Sequence, residues 1–74
     1  MNTIFTEYLL KNNWVKVNSM SYALIDNELF EVYFDSSNQV EFYYDKKRID
    51  EKYLLSIDDL VSFLNENLPA PPDL

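Results

Sequence analysis

No glycine occurs anywhere in the 74 residues, and this absence constrains the fold more than any motif does. Every backbone position that needs a positive φ must fall to Asn or Asp, the next most tolerant residue types. Asn stands where such positions are expected, at Asn12-Asn13, Asn18, Asn27 and Asn38. Gly-rich phosphate loops are ruled out, and with them the Walker-type and dinucleotide-binding fingerprints. The substitution of Asn for Gly reads as a coding bias rather than a functional device.

A chain this short forms one domain and buries only about 60% of its extended surface on folding. Disulfides or a structural metal often support such small domains. Neither route exists here, because Cys and His are both absent. Aromatic side chains are the remaining resource: Trp14, six Tyr and five Phe, within a hydrophobic fraction of 47%. The N-terminal Met1-Asn2-Thr3-Ile4-Phe5 lacks a basic region and a long apolar run, so it does not read as a signal peptide. No apolar stretch approaches the ~20 residues needed to span a membrane. A cytoplasmic chain without membrane contact is expected.

Along the chain, residues 4–12 read as a short helix with Thr3 as cap and Glu7 near its positive end. Ile4, Phe5, Tyr8 and Leu9 form its apolar stripe, and Asn12-Asn13 ends it. Trp14, Val15 and Val17 open a first strand that breaks at Asn18-Ser19, and Met20 to Ile25 makes a second. Asp26-Asn27 suits a tight hairpin. Leu29 to Phe34 and Gln39 to Tyr44 alternate as strands around an Asp35–Asn38 loop. Phe30, Val32, Phe34, Val40, Phe42 and Tyr44 then face the helices. Lys46-Lys47 turns into a last extended piece from Ile49 to Leu55.

Ser56-Ile57-Asp58-Asp59 is a capping-box-like helix start. Ile57, Leu60, Val61, Leu64 and Leu68 follow at helical spacing until Pro69. The expected fold is a two-layer α+β domain over residues 1–68. It comprises a helix, a four- to five-stranded antiparallel meander and a second helix, with both helices on one sheet face. Residues 69–74 form a Pro-rich tail, expected to be mobile.

Without His or Cys the usual general base, thiolate nucleophile and transition-metal ligands are missing, so a non-enzyme without cofactor or metal is expected. Asp58-Asp59 reads as helix capping and Asp50-Glu51 as a solvated turn or strand edge, since neither fits a calcium loop. The formal net charge of −7 repels phosphate backbones and attracts basic surfaces. From Asp26 to Asp45 there are six acids and no base; four of the six bases then fall at Lys46, Lys47, Arg48 and Lys52. Two contact surfaces follow. An acidic, Tyr-bearing sheet face with its loop (Glu31, Tyr33, Asp35, Asn38, Gln39, Glu41, Tyr43 and Asp45) fits a basic partner, although a solvated face would carry the same residues. Tyr43 and Tyr44 beside Lys46, Lys47 and Arg48 fit single-stranded RNA, or equally strand packing ending in a soluble hairpin tip. Trp14 reads as core.

In composition and layout the whole chain resembles small phage-encoded anti-defence proteins, anti-CRISPR proteins among them: short, acidic, single-domain and rich in Asn, Tyr and Phe. The resemblance rests on no motif and carries over no residue. It implies a non-enzymatic inhibitor that occupies a basic surface of a nucleic-acid-processing protein, such as a CRISPR effector, or disturbs its guide RNA complex in the host bacterial cytoplasm. The alternatives are a structural subunit or homodimeric module, with a monomer favoured, and a small single-stranded RNA binder.

Overall fold

Phe5 and Leu9 stand four residues apart, one turn of helix, and both are buried where Thr3–Lys11 (α1) lies against the rest of the chain. The computed structural model describes residues 3–69. Ile4, expected in the same stripe, is 61% exposed: it precedes Phe5 by one position and so points about 100° away from it. Thr3 is the first residue inside the helix rather than its cap, and no acid lies in the first turn. The helix ends on Asn12, whose Nδ2 donates to the Tyr8 carbonyl at 2.8 Å, and on Asn13 at φ 69. Asn13 thus supplies the left-handed exit that glycine usually provides.

Five strands follow in an antiparallel meander, adjacent in the sheet in chain order. They are Trp14–Lys16 (β1), Ser21–Leu24 (β2), Asn27–Phe34 (β3), Gln39–Tyr44 (β4) and Lys47–Tyr53 (β5). The β2–β3 turn falls on Ile25-Asp26, one residue earlier than expected, and neither residue has a positive φ. Asn27 instead begins β3, where its Oδ1 accepts the Leu29 N–H at 3.1 Å. The Ile25 N–H donates to the Asn13 carbonyl at 2.7 Å, tying this turn to the end of α1.

The β4–β5 turn is Asp45-Lys46, with φ of 49 and 67, so β5 starts at Lys47 and ends at Tyr53 rather than running from 49 to 55. Two consecutive left-handed residues match the twist of the flanking strands, the geometry of a primed hairpin turn. Lys46 has no short polar side chain to offset its left-handed backbone. The variant Lys46→Gly is expected to be more stable by about 1 kcal/mol, because relief of a ~1–2 kcal/mol steric cost outweighs the added chain entropy. A urea midpoint at or below that of the parent protein would contradict this account.

Ile57–Asn67 (α2) starts on Ser56, whose Oγ accepts the Asp59 N–H at 3.4 Å. In return, Asp59 Oδ2 accepts the Ser56 N–H at 3.2 Å. Leu60, Phe63 and Leu64 are buried, with Ile57 and Leu68 packed beside them. Phe63 widens the expected stripe, since it lies one turn beyond Leu60. Leu68 caps the helix, its N–H donating to the Leu64 carbonyl at 2.9 Å, and Pro69 follows. The remainder of the expected tail, residues 70–74, lies outside the described residues.

Both helices pack on one face of the sheet. Their buried residues join Tyr22, Phe30, Val32, Phe34, Val40 and Phe42 in a single cluster closed by Trp14 and Leu54. The aromatic rings organise it. Phe42 lies 6.2 Å from Trp14, 5.9 Å from Phe30 and 6.0 Å from Phe63, all edge to face. Tyr44 leans on Phe30 at 4.8 Å but is 41% exposed, so it forms the rim of this layer rather than its interior. Asp50 lies on β5, an edge strand as expected, but at an inward, half-buried position where it accepts from the Asn67 side chain of α2 at 2.9 Å, so it is a strut rather than a solvated group. Among the described residues no helix is long and apolar enough to cross a membrane.

Candidate protein-binding face

Among the described residues the helices cover one face only, so the alternate residues of each strand form an outer face that no described element covers. Strand register arranges them in two rows across the sheet. One row runs Val15, Ala23, Glu31, Tyr43, Arg48; the other runs Ser21, Tyr33, Glu41, Glu51. Four of the expected contact residues, Glu31, Tyr33, Glu41 and Tyr43, are therefore immediate neighbours. Gln39 lies further along β4, opposite Tyr53.

Glu41 is only 7% exposed although no helix covers it. A carboxylate so placed needs partners. The Tyr43 hydroxyl donates to its Oε1 at 3.0 Å and Arg48 Nη1 donates to the same atom at 3.3 Å. Arg48 reaches Glu51 Oε2 as well, at 3.6 Å. Asp35, at the start of the β3–β4 loop, completes the group. Its carboxyl is held above its ordinary 3.8, chiefly by the hydrogen bond it makes to Glu41, with burial and the Glu41 charge adding to the effect. Glu41 is held below 4.5, first by that bond from Asp35 and then, against its burial, by Tyr43 and Arg48. The Tyr43 phenol rises because it donates to Glu41, and the Arg48 guanidinium rises because it bonds the same carboxylate.

The two carboxyl groups shift in opposite directions, so the signs differ. The stability linked to Asp35 is complete below its unfolded value and is lost as pH rises through its raised folded value. The stability linked to Glu41 is complete above 4.5 and is lost as pH falls through its lowered folded value. The pair is most favourable in the window between the lowered value of Glu41 and the raised value of Asp35. In Asp35→Asn the amide keeps a donor for Glu41 without titrating. Denaturant midpoints across the acid range are expected to show the variant gaining on the parent above this window and matching it below the unfolded Asp value. A parent protein whose stability does not fall, relative to Asp35→Asn, as pH rises past the window would refute the coupling of Asp35 to Glu41.

Other expected contact residues are placed differently. Asn38 Nδ2 donates to the Leu54 carbonyl at 2.6 Å and its own carbonyl accepts the Leu54 N–H at 2.7 Å, so Asn38 clamps the loop to the end of β5. Asp45 lies in the left-handed turn, not on the strand face. The five residues expected to meet RNA do not converge. Tyr44 belongs to the helix-covered side, whereas Tyr43 and Arg48 lie on the outer face among acids. Lys46 borders the outer face at the turn, and Lys47 begins the edge strand.

Two shallow grooves cross the outer face. One, about 270 Å³, is lined by Ser21, Glu31, Tyr33, Tyr43 and Lys46; the other, about 260 Å³, by Val15, Val17, Ala23, Glu28 and Glu31. Ser21 and Ala23 are small and buried, and they leave a trough along β2 between the longer side chains of its neighbours. The sequence reading overlooked both residues, as well as Glu28 and Glu51. The signal was available: with Tyr22 turned inward, Ser21 and Ala23 must face out. Among the described residues no group of three or more acids is placed to hold a metal ion. The chain matches no protein-family model, no curated protein and no solved structure.

Proposed function

We propose that the chain is a non-enzymatic binding inhibitor whose outer sheet face docks on a basic surface of a nucleic-acid-handling protein, such as a CRISPR effector, in a bacterial cytoplasm. One observation carries this reading: among the described residues a whole sheet face has no covering layer, and it bears a surplus of acids. Glu28, Glu31, Glu41, Glu51 and Asp35 stand there or at its border against only Arg48 and Lys46. The formal net charge of −7 points the same way, toward long-range attraction of a cationic partner and repulsion of bare nucleic acid. Tyr33 and Tyr43 supply the amphipathic anchors typical of interface centres. The resemblance to small anti-defence proteins supplies the class of partner.

Self-pairing through the sheet edges is less well supported. β1 is only three residues long and carries Lys16. β5 has a register shift opposite Phe42/Tyr43 that leaves Ile49 unpaired, and half-buried Lys52 faces inward. Short edges, bulges and inward charges all discourage strand addition. Sedimentation at micromolar concentration should accordingly show a monomer.

The decisive experiment is affinity capture from bacterial lysates at low and high salt, followed by activity assays of the retained proteins. Basic nucleic-acid-handling proteins are expected to be retained at low salt, released at high salt and inhibited by the added chain. Retention of proteins unrelated to nucleic acid, or retention indifferent to salt, would overturn the reading. A mobility shift of bare single-stranded RNA by the purified chain would replace it with direct RNA binding.

A further inference from the structure

On the outer face the chain already contains one completed arginine site. Arg48 lies beside Tyr43 and reaches two carboxylates, Glu41 and Glu51. Directly across the β3–β4 ladder from Tyr43 stands Glu31, half-buried at the side of the 270 Å³ groove with Tyr33 next to it. Among the described residues the Glu31 side chain has neither a hydrogen bond nor an ion pair. The ingredients of the Arg48 site are thus repeated one strand away, a carboxylate against a tyrosine, but with no cation paired to the carboxylate, since Lys46 in the same lining makes no ion pair with Glu31.

We propose that this groove receives a single arginine side chain of the protein partner. The proposal rests on the reading above and names the hot spot within that interface. Three features select arginine. The volume of about 270 Å³ lies just under the roughly 300–1,000 Å³ of pockets that take drug-sized ligands or cofactors, and the groove is open rather than enclosed, which suits a single long side chain. A planar guanidinium stacks on tyrosine rings while forking a carboxylate, whereas the compact, strongly hydrated ammonium of lysine does neither well. Buried Ser21 gives the floor a hydroxyl in a lining otherwise made of Tyr33 and Tyr43 rings, Glu31 and Lys46. Lys46 opposes an incoming cation, so the guanidinium must seat toward Glu31, and removing the Lys46 charge should strengthen binding.

The probes are two short peptides of equal charge, one tetra-arginine and one tetra-lysine, titrated into the full chain at low salt and followed by amide NMR shifts. The arginine peptide is expected to bind several-fold more tightly, with the largest shifts at Ser21, Glu31, Tyr33 and Tyr43. Glu31→Gln, nearly isosteric, should weaken that binding by about tenfold or more, the low end of the range for loss of one charge-assisted bond, since the site is only partly desolvated. Tyr33→Ala should weaken it similarly, and Lys46→Asn, compatible with the left-handed turn, should strengthen it by about 2–3-fold. Equal binding of the two peptides, or arginine binding indifferent to Glu31→Gln in a folded variant, would overturn the groove assignment. If basic partners are still captured from lysate in that case, the proposed function stands and only the groove falls. If neither peptide binds and no basic partner is captured, both fall.

Discussion

Replacing Phe42 by alanine is expected to remove about 3–5 kcal/mol, roughly a quarter or more of the protein's stability at 25 °C. Phe42 is fully buried and meets Trp14, Phe30 and Phe63, which belong to β1, β3 and α2, so its ring joins three separate elements. Truncation of such a side chain costs about 3–5 kcal/mol, part transfer and part cavity. At roughly 0.05–0.15 kcal/mol per residue, a chain of 74 residues has only about 4–11 kcal/mol to lose. No disulfide stands behind the core, since Cys is absent. Trp14, the only tryptophan, packs edge-on against Phe42 and so reports the loss by fluorescence during urea titration. The comparison is Tyr44→Ala on the same strand, where the exposed rim position predicts a cost of about 1 kcal/mol or less. Similar midpoints for the two variants would mean that the aromatic cluster is not the centre of stability.

Such a core could be read from the sequence because its signal is periodic. Phe30, Val32 and Phe34 alternate with Glu31 and Tyr33, and only one face of a strand can be buried against a single layer of helices. The β4 span and the capping box at Ser56 were legible for the same local reason. The misplaced features depend on backbone choices that no residue type announces. Asn27 looks like a turn residue yet serves as the first residue of β3, while Asp45, expected on the strand face, joins Lys46 in the left-handed turn. The register shift between Phe42 and Tyr43 sets Arg48 opposite Tyr43 and so turns a base from an apparent basic cluster into the partner of Glu41. Linear charge order separated acids from bases; the fold interleaves them. Asn38 was legible as a loop residue, but its clamp on Leu54 joins positions 16 apart and appears only once β5 is paired.

Those same placements decide how the acidic face should be tested. Linear order nominates Glu31, Glu41 and Asp45 for charge reversal, but two of these are unsuitable. Reversing Glu41 would set a buried cation against Arg48, and Asp45 maintains a left-handed turn. The structure favours Glu28, Glu31 and Glu51, which lie on the outer face without being buried. Replacing all three by lysine moves the formal net charge from −7 to about −1. Association with a basic partner at low salt is then expected to slow on the order of ten- to a hundredfold, the usual range for loss of electrostatic steering. The gap between variant and parent should narrow with added salt, as the screening length falls from about 10 Å at 0.1 M to about 3 Å at 1 M. Urea midpoints near the parent value establish that the variant is folded, since exposed substitutions usually shift stability by no more than about 0.5 kcal/mol. The Glu28/Glu51 double reversal leaves Glu31 in place and separates general attraction from the groove: arginine-over-lysine preference should survive it while the association rate drops. Unchanged capture by the folded triple variant would show that the partner binds elsewhere than the outer face.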